Sequence, residues 1–464
     1  MAEEKIDLQV LKREVEDLYH KRLVARITFR GVTPWWGGDY EGHTSRWVDE
    51  DEIAGRLRWF LRAVYNRFCA NNLDNYSESE ERISQILGST SGRSIYSFKV
   101  SGVEYRQNLR YGNLDRVSKL VARGEGRNNP SYYPLDISRF TLEVLRFTDD
   151  AKYDKIVVDG LLITLAYLGV GKGVTRGFGR FVPEKCEGFN SELCKYVMEG
   201  KVREAFEFFY SSFQKITGCN RKNSWTESAV PLAPLTGDGP DSIKETHCTT
   251  SDVITALNVI QKSVMKSTFK TDSYGIKIDD PGPFIHTWVF GLPRHSKVPR
   301  GLNQERMKVD LGVSQIDENK VKKSPFMGYL ELRGIELVEP RRQSMFVISP
   351  VWDGTKYTIY IIPFLSLEDN ENEVKVLVHK GIHANTGKIH LAPVSDVLNG
   401  RSLYNDEKSL AIKRKELSYG SVEEIIKNYG SELVKAIDKA CQAGHVAPGR
   451  GGGIGGPKRP ARGH

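Results

Sequence analysis

Residues 169–181 read GVGKGVTRGFGRF and hold five glycines (Gly169, Gly171, Gly173, Gly177, Gly179), three cations (Lys172, Arg176, Arg180) and no acid. Glycine lets backbone amides approach a ligand closely, and uncompensated cations beside them favour phosphate. What kind of phosphate depends on the flanking elements. Residues 153–168 are an apolar run of helical length and residues 178–182 read as a short strand, so the loop runs from helix to strand. Nucleotide-binding P-loops and dinucleotide fingerprints run from strand to helix and use the helix N-terminus. The P-loop spelling also fails, because Gly171-Lys172 is followed by Gly173 instead of Ser or Thr. A polynucleotide backbone fits this loop better than a mononucleotide, with Lys172, Gly173, Thr175, Arg176 and Arg180 as its candidate contacts.

A second glycine turn, Thr33-Pro34-Trp35-Trp36-Gly37-Gly38, follows the first strand. Neighbouring strand side chains point to opposite faces, so in extended geometry at most one of Trp35 and Trp36 enters the core. The other is free to stack on a base; the alternative is that both cover the sheet edge. His43, with Arg46 close by, lies in the loop after this turn. Metal-independent RNA cleavage needs a general acid, a general base and a cation, so His43 is a candidate acid, with Arg46 or Lys172 as charge stabiliser. The plainer reading is a solvated loop histidine that touches backbone or a base edge. On the next helix Arg56 borders the apolar stripe near the helix start and is the better RNA-contact candidate, while Arg58 and Arg62 lie opposite it and read as surface cations, Arg58 being kept among the candidate RNA contacts. Arg294, Lys297 and Arg300 cluster further on, and Arg341-Arg342 precede a strand; each group is either a binding patch or a solvated loop.

Other chemistries find little support. HExxH, GxSxG and kinase motifs are absent from the sequence. His379, His383 and His390 lack a Cys or acid to complete a metal tetrad and read as scattered histidines, so neither metal nor cofactor is expected. Six cysteines without a CxxC pair argue against a zinc ribbon or a disulfide framework, and hence for a reducing, cytoplasmic location. The N-terminus has no apolar signal core, and residues 160–170 are too short to span a bilayer, so no membrane partner is expected.

The elements that must position these residues follow an order. Residues 21–33 alternate as a half-buried strand. From residue 51, Ile53, Leu57, Phe60, Leu61, Val64 and Phe68 recur at helical spacing behind an acidic start that suits a helix N-terminus. Strands at 94–100 and 139–147 flank a polar insertion at 101–134. The 153–168 helix and the 178–182 strand complete a β, α, β, β, α, β series, the ferredoxin-like order. Later come a helix at 191–213, a loop or linker at 226–246, a helix at 251–265 and strands at 284–290, 344–351, 356–363 and 374–379. The 344–351 and 356–363 strands pair as a hairpin through Asp353-Gly354. An amphipathic helix follows at 421–441.

The fold class expected is α+β, with two linked ferredoxin-like units, the second degenerate. The expected organisation is a helical extension over 1–20, a first unit over 21–190, helix and linker over 191–246, a second unit over 247–445, and a disordered basic glycine-rich tail over 446–464. At 464 residues the length suits about two to three domains. The net charge of +8 suits a polyanionic partner, but 67 basic residues face 59 acidic ones, so a basic surface must come from clustering.

TPWWGG, AGRLRWFLRAVY (54–65), ILGSTSG (86–92) and the glycine-rich loop together resemble the RAMP superfamily of CRISPR-associated proteins. VFGLP (289–293) and RRQSMFVISPV (341–351) make the chain similar, more narrowly, to the first-subunit family of type III-B Cmr effector complexes. The resemblance implies a non-catalytic subunit that assembles with other Cmr subunits, holds the 3′ region of the crRNA and contacts target RNA. It differs from the family where Ala54 replaces an arginine, where Asp49 to Glu52 replace basic or small residues, and where Leu87 replaces phenylalanine. A stand-alone endoribonuclease of the same superfamily, using His43, is the alternative.

Overall fold

The computed structural model describes residues 8–38, 48–90, 92–106, 134–189, 192–264, 296–297, 309–311, 326–333, 336–338, 343–367, 375–382, 389–393 and 422–445; between 296 and 338 and between 375 and 393 it describes backbone only. Helix α1 spans Leu8–Arg22 and has no buried residue. It runs into strand β1, Leu23–Gly31, in which Ala25, Ile27 and Phe29 face the core while Arg26, Thr28 and Arg30 face away. That alternation is the period of a sheet covered on one side.

Helix α2, Glu50–Phe68, starts at Asp49, whose carboxylate accepts from the Asp51 amide at 2.7 Å, and has three acids in its first turn. These carboxylates satisfy free amides and oppose the positive end of the helix. The predicted stripe Ile53, Leu57, Phe60, Leu61, Val64 and Phe68 is buried. Helix α3 spans Ser77–Leu87, followed by β2, Tyr96–Tyr105, and β3, Ile137–Arg146. Helix α4, Asp154–Ile163, continues into a π-helical turn, Thr164–Leu168, and β4 spans Phe181–Glu187. The predicted strand at 178–182 therefore starts later, because Gly177 to Gly179 belong to the loop. The sheet order is β2-β3-β1-β4, antiparallel throughout. Phe29 pairs with Phe140 across β1 and β3 on the core face, their rings 5.4 Å apart, and Phe181 from β4 meets Phe140 edge-on at 4.9 Å.

Residues 191–213, read as one helix, are broken at Gly200 into α5, Glu192–Met198, and α6, Val202–Thr217. The expected loop at 226–246 is corrected at its end, where Lys244–Thr250 forms strand β5. Helix α7 is Val253–Val264. Short strands β6 (Ser296–Lys297), β7 (Val309–Leu311), β8 (Phe326–Arg333) and β9 (Glu336–Val338) precede β10, Phe346–Trp352, and β11, Tyr357–Pro363. Strands β12 (Lys375–Ile382) and β13 (Ile389–Pro393) and helix α8 (Val422–His445) follow. The predicted β10–β11 hairpin turns at Gly354, φ 104°, with Asp353 accepting from the Thr355 and Lys356 amides. The second sheet has the order β10-β11-β5, which sets its first strand beside its third as in the first sheet. A third sheet joins β6 to β9 with β12 and β13; His379 and His390 lie on its strands, and His383 lies outside the described residues. The expected strand at 284–290, the bulk of the 101–134 insertion and the 446–464 tail also lie outside them. The main apolar cluster runs from the first sheet through α2, α4 and α6 to Val347, Val351 and Ile362, so the two sheets share a core.

The expectation of free thiols is overturned. Cys69–Cys219, Cys186–Cys194 and Cys248–Cys441 are disulfides with Cα–Cα distances of 5.1, 6.8 and 5.7 Å, and no cysteine is free. Two of the bridges join residues 150 and 193 positions apart, which local spacing cannot reveal. The inference of a reducing location drawn from cysteine usage loses its basis. Among the described residues no helix is long and apolar enough to cross a membrane. Thiol titration of the denatured chain without reductant should find no free thiols. The paired variant Cys248→Ser/Cys441→Ser should lose about 2–4 kcal/mol in urea unfolding, whereas six reactive thiols would contradict the pairing.

Candidate nucleic-acid interface

The two glycine turns read from the sequence lie against each other. The Lys172 amide donates to the Trp36 carbonyl at 2.5 Å, the Gly179 amide to Pro34 at 2.8 Å and the Arg180 amide to Thr33 Oγ1 at 3.0 Å. Within the loop the Val170, Arg176 and Gly177 amides donate to the carbonyls of Gly179, Gly173 and Val174. These amides serve the protein and are not open to a phosphate. All five glycines have positive φ. At Gly169 this conformation ends the π-helical turn, and a Cβ there would lie 1.7 Å from Arg180 Nη1.

Arg180 is the centre of this arrangement. Its guanidinium is fully buried; Nε donates to Ser349 Oγ at 3.0 Å, Nη1 to the Phe178 carbonyl at 2.7 Å, and Nη2 to the carbonyls of Val174 at 2.7 Å and Ile348 at 3.5 Å. Desolvation, with nearby Arg56 second, pushes its pKa well down. The expectation that Arg180 touches RNA is therefore corrected, because it reaches no surface and ties the loop to β10. The Ile348 amide adds a bond to the Thr175 carbonyl at 3.2 Å. Gly177 sits so close that a Cβ would come within 3.0 Å of Pro350 and 3.1 Å of Leu257.

The tryptophans divide as strand geometry requires. Trp35 is fully buried against Phe181, which removes it as a stacking candidate, while Trp36 is half-exposed with its ring 5.4 Å from Phe178. Gly37 is buried and Gly38 is partly exposed. Arg56 lies over the Trp59 ring at 4.0 Å with Nη2 3.4 Å from the Leu168 carbonyl, and desolvation pushes its pKa down. Arg58, expected among the RNA contacts, donates to the Leu87 carbonyl at 2.8 Å and so is committed to the end of α3, while Arg62 pairs with Glu80. Lys172 is exposed, and Gly173, Thr175 and Arg176 are partly so. His43, Arg46, Arg294, Arg300, Arg341 and Arg342 lie outside the described residues; Lys297 is placed as backbone in β6. The open face of β1 and β3 presents Arg26, Thr28, Arg30, Arg139, Thr141 and Glu143, so these central strands lack the aromatic platform on which sheet-type RNA readers stack bases.

Sequence reasoning passed over Glu52 as a site residue, seeing only an acidic helix start. Its carboxylate accepts from the Gly38 amide and lies near Asp49 and Lys172; burial first, then Asp49, raises its pKa from 4.5 to about 7. A carboxyl poised near neutrality thus sits between the glycine turn and the glycine loop.

Two outcomes follow for stability. Between pH 4.5 and about 7 folded Glu52 keeps a proton that the unfolded chain releases, so this group's contribution to stability falls as pH rises through that window. Melting curves should show Glu52→Gln and wild type matching near pH 4, below the unfolded value of 4.5, and the variant melting higher at pH 8; a difference that is the same at both would contradict the assignment. Arg180→Met strips the Phe178 carbonyl of its donor, at a cost of roughly 1–3 kcal/mol for a buried group left unpaired, and leaves the Val174 carbonyl with the Gly177 amide alone, so it should lower the urea midpoint; an unchanged midpoint would refute its tying role.

No curated protein matches the chain. Among solved structures it is similar to Cmr1 from Pyrococcus furiosus in its apo form, at 16% identity and TM-score 0.44 over 76% of this chain and 93% of that one. It is also similar to a chain of the type III-B Cmr-beta complex bound to cognate target RNA, at 14% identity and TM-score 0.45 over 74% of this chain and 94% of that one. Residues 28–182, from within β1 through the glycine-rich loop to the start of β4, match the family model of the RAMP superfamily.

Proposed function

We propose that the chain is a non-catalytic RNA-binding and assembly subunit of a type III-B Cmr RNA-guided effector complex, holding the 3′ region of the crRNA and contacting target RNA. The observation that carries this reading is the RAMP match over the segment containing the glycine-rich loop, on which Lys172 is exposed while the backbone beneath it is docked. The strand orders β2-β3-β1-β4 and β10-β11-β5 support two ferredoxin-like units, the second short of one strand among the described residues. We place the subunit in the cytoplasm. Three disulfides are compatible with that location in the cells of hyperthermophiles, whose intracellular proteins are disulfide-rich.

On this reading RNA meets the outward side chains of the loop. Lys172 and Arg176 supply phosphate contacts, and Trp36 offers a half-exposed ring beside them. Lys172→Ala with Arg176→Ala should weaken single-stranded RNA binding and lower the log–log salt slope by about 0.7 per lost contact. An unchanged slope in fluorescence titrations would assign the loop to packing or subunit docking instead.

A further inference from the structure

Beside the Arg180 tie, where the end of β1 meets the β10–β11 turn, lies a cavity of about 380 Å³. Such a volume falls in the roughly 300–1,000 Å³ range of ligand pockets. Its walls include Arg30, Arg106 and Arg139 from the first sheet and its edge, and Ser251, Trp352 and Tyr357 from the second. Arg30 and Arg139 are directly opposed across β1 and β3, a like-charge pairing that disfavours the sheet unless compensated. Arg139 is compensated by Glu184 at 2.8 Å, and Arg106 lies 4.0 Å from Asp136 and donates to the Gly31 carbonyl. Arg30 has no ion pair and no side-chain hydrogen bond among the described residues. It is an unspent cation on the cavity wall.

Two aromatic residues also line the cavity. Trp352 packs on Tyr357 with ring centroids 4.7 Å apart, and the Tyr357 hydroxyl donates to the Val32 carbonyl at 3.1 Å, so the pair is held to the end of β1. Glu104 and Glu184 also line the space and supply acceptors. A guanidinium, a half-buried indole and two carboxylates lining one cavity match a phosphate joined to a flat, amine-bearing ring.

We propose that this cavity binds one phosphorylated nucleoside, its phosphate on Arg30 and its base against Trp352, with Glu104 or Glu184 accepting from an exocyclic amine. The site is separate from the glycine loop, which meets β10 at Ile348, four residues before Trp352. That the nucleoside is a residue of bound RNA rests on the function proposed above. The shared chemistry is the nucleotide, free or in a strand.

The test uses the full chain, a labelled single-stranded RNA, and AMP and CMP. Arg30→Gln should weaken RNA binding about tenfold, the scale of one charge-assisted contact, and lower the salt slope by about 0.7. Its melting temperature should not fall, because Arg30 makes no ion pair or side-chain hydrogen bond among the described residues and its loss relieves the repulsion from Arg139. Trp352→Phe keeps packing, and loses no hydrogen bond because the indole Nε1 has no partner; it should weaken both RNA and mononucleotide binding. If wild type binds RNA and both variants bind it equally well, the cavity assignment falls while the RNA-binding function stands. If wild type binds AMP or CMP in a way that Arg30→Gln abolishes, yet binds no RNA, the cavity assignment stands and the RNA function falls. Absence of both RNA and mononucleotide binding overturns the cavity assignment as well.

Discussion

A single buried guanidinium organises the middle of this molecule. Arg180 has no carboxylate among its hydrogen-bond partners and is compensated by carbonyl dipoles and one hydroxyl. Removing a charge from water costs several kcal/mol even after relaxation, and the cost is met only when each donor finds an acceptor. The loop supplies two of those acceptors, Phe178 and Val174, because its glycines let the backbone fold back around the side chain. The second sheet supplies the rest, Ser349 and Ile348. The same contact therefore shapes the loop and fixes it to β10.

This coupling changes what the glycines are for. In an open phosphate cradle they would free amides for a ligand. Here they let the chain turn five times at positive φ, bring carbonyls to Arg180, and clear space for the arginine at Gly169 and for Pro350 at Gly177. The amides of Val170, Lys172, Arg176, Gly177, Gly179 and Arg180 go to the TPWWGG turn and to the loop itself. What remains outward is a small set of side chains, Lys172, Thr175, Arg176 and Trp36, with the near-neutral carboxyl of Glu52 beside them.

Much of the first sheet was legible because alternation in β1 and the apolar period of α2 are one-dimensional signals. The glycine loop was legible as a special segment, but not in its role. Charge in a sequence says nothing about burial, so Arg180 read as a surface cation, and the same limit concealed the commitment of Arg58 to Leu87. Strand β5, KETHCTT, was passed over because it is the edge of a three-stranded sheet, and only Thr246 and Cys248 within it are buried. The disulfides escaped for a different reason. Their spacing is set by the fold, not by the chain, and even the short Cys186–Cys194 bridge depends on β4 meeting α5.

The central claim is that the glycine-rich loop is already docked and hydrogen-bonded before any nucleic acid arrives. Amide hydrogen exchange on the free protein tests it most directly. The account predicts that the amides of Val170, Lys172, Gly179 and Arg180 exchange slowly without RNA and change little when RNA is added. Fast exchange at these amides in the free protein, with protection appearing only on RNA binding, would contradict it.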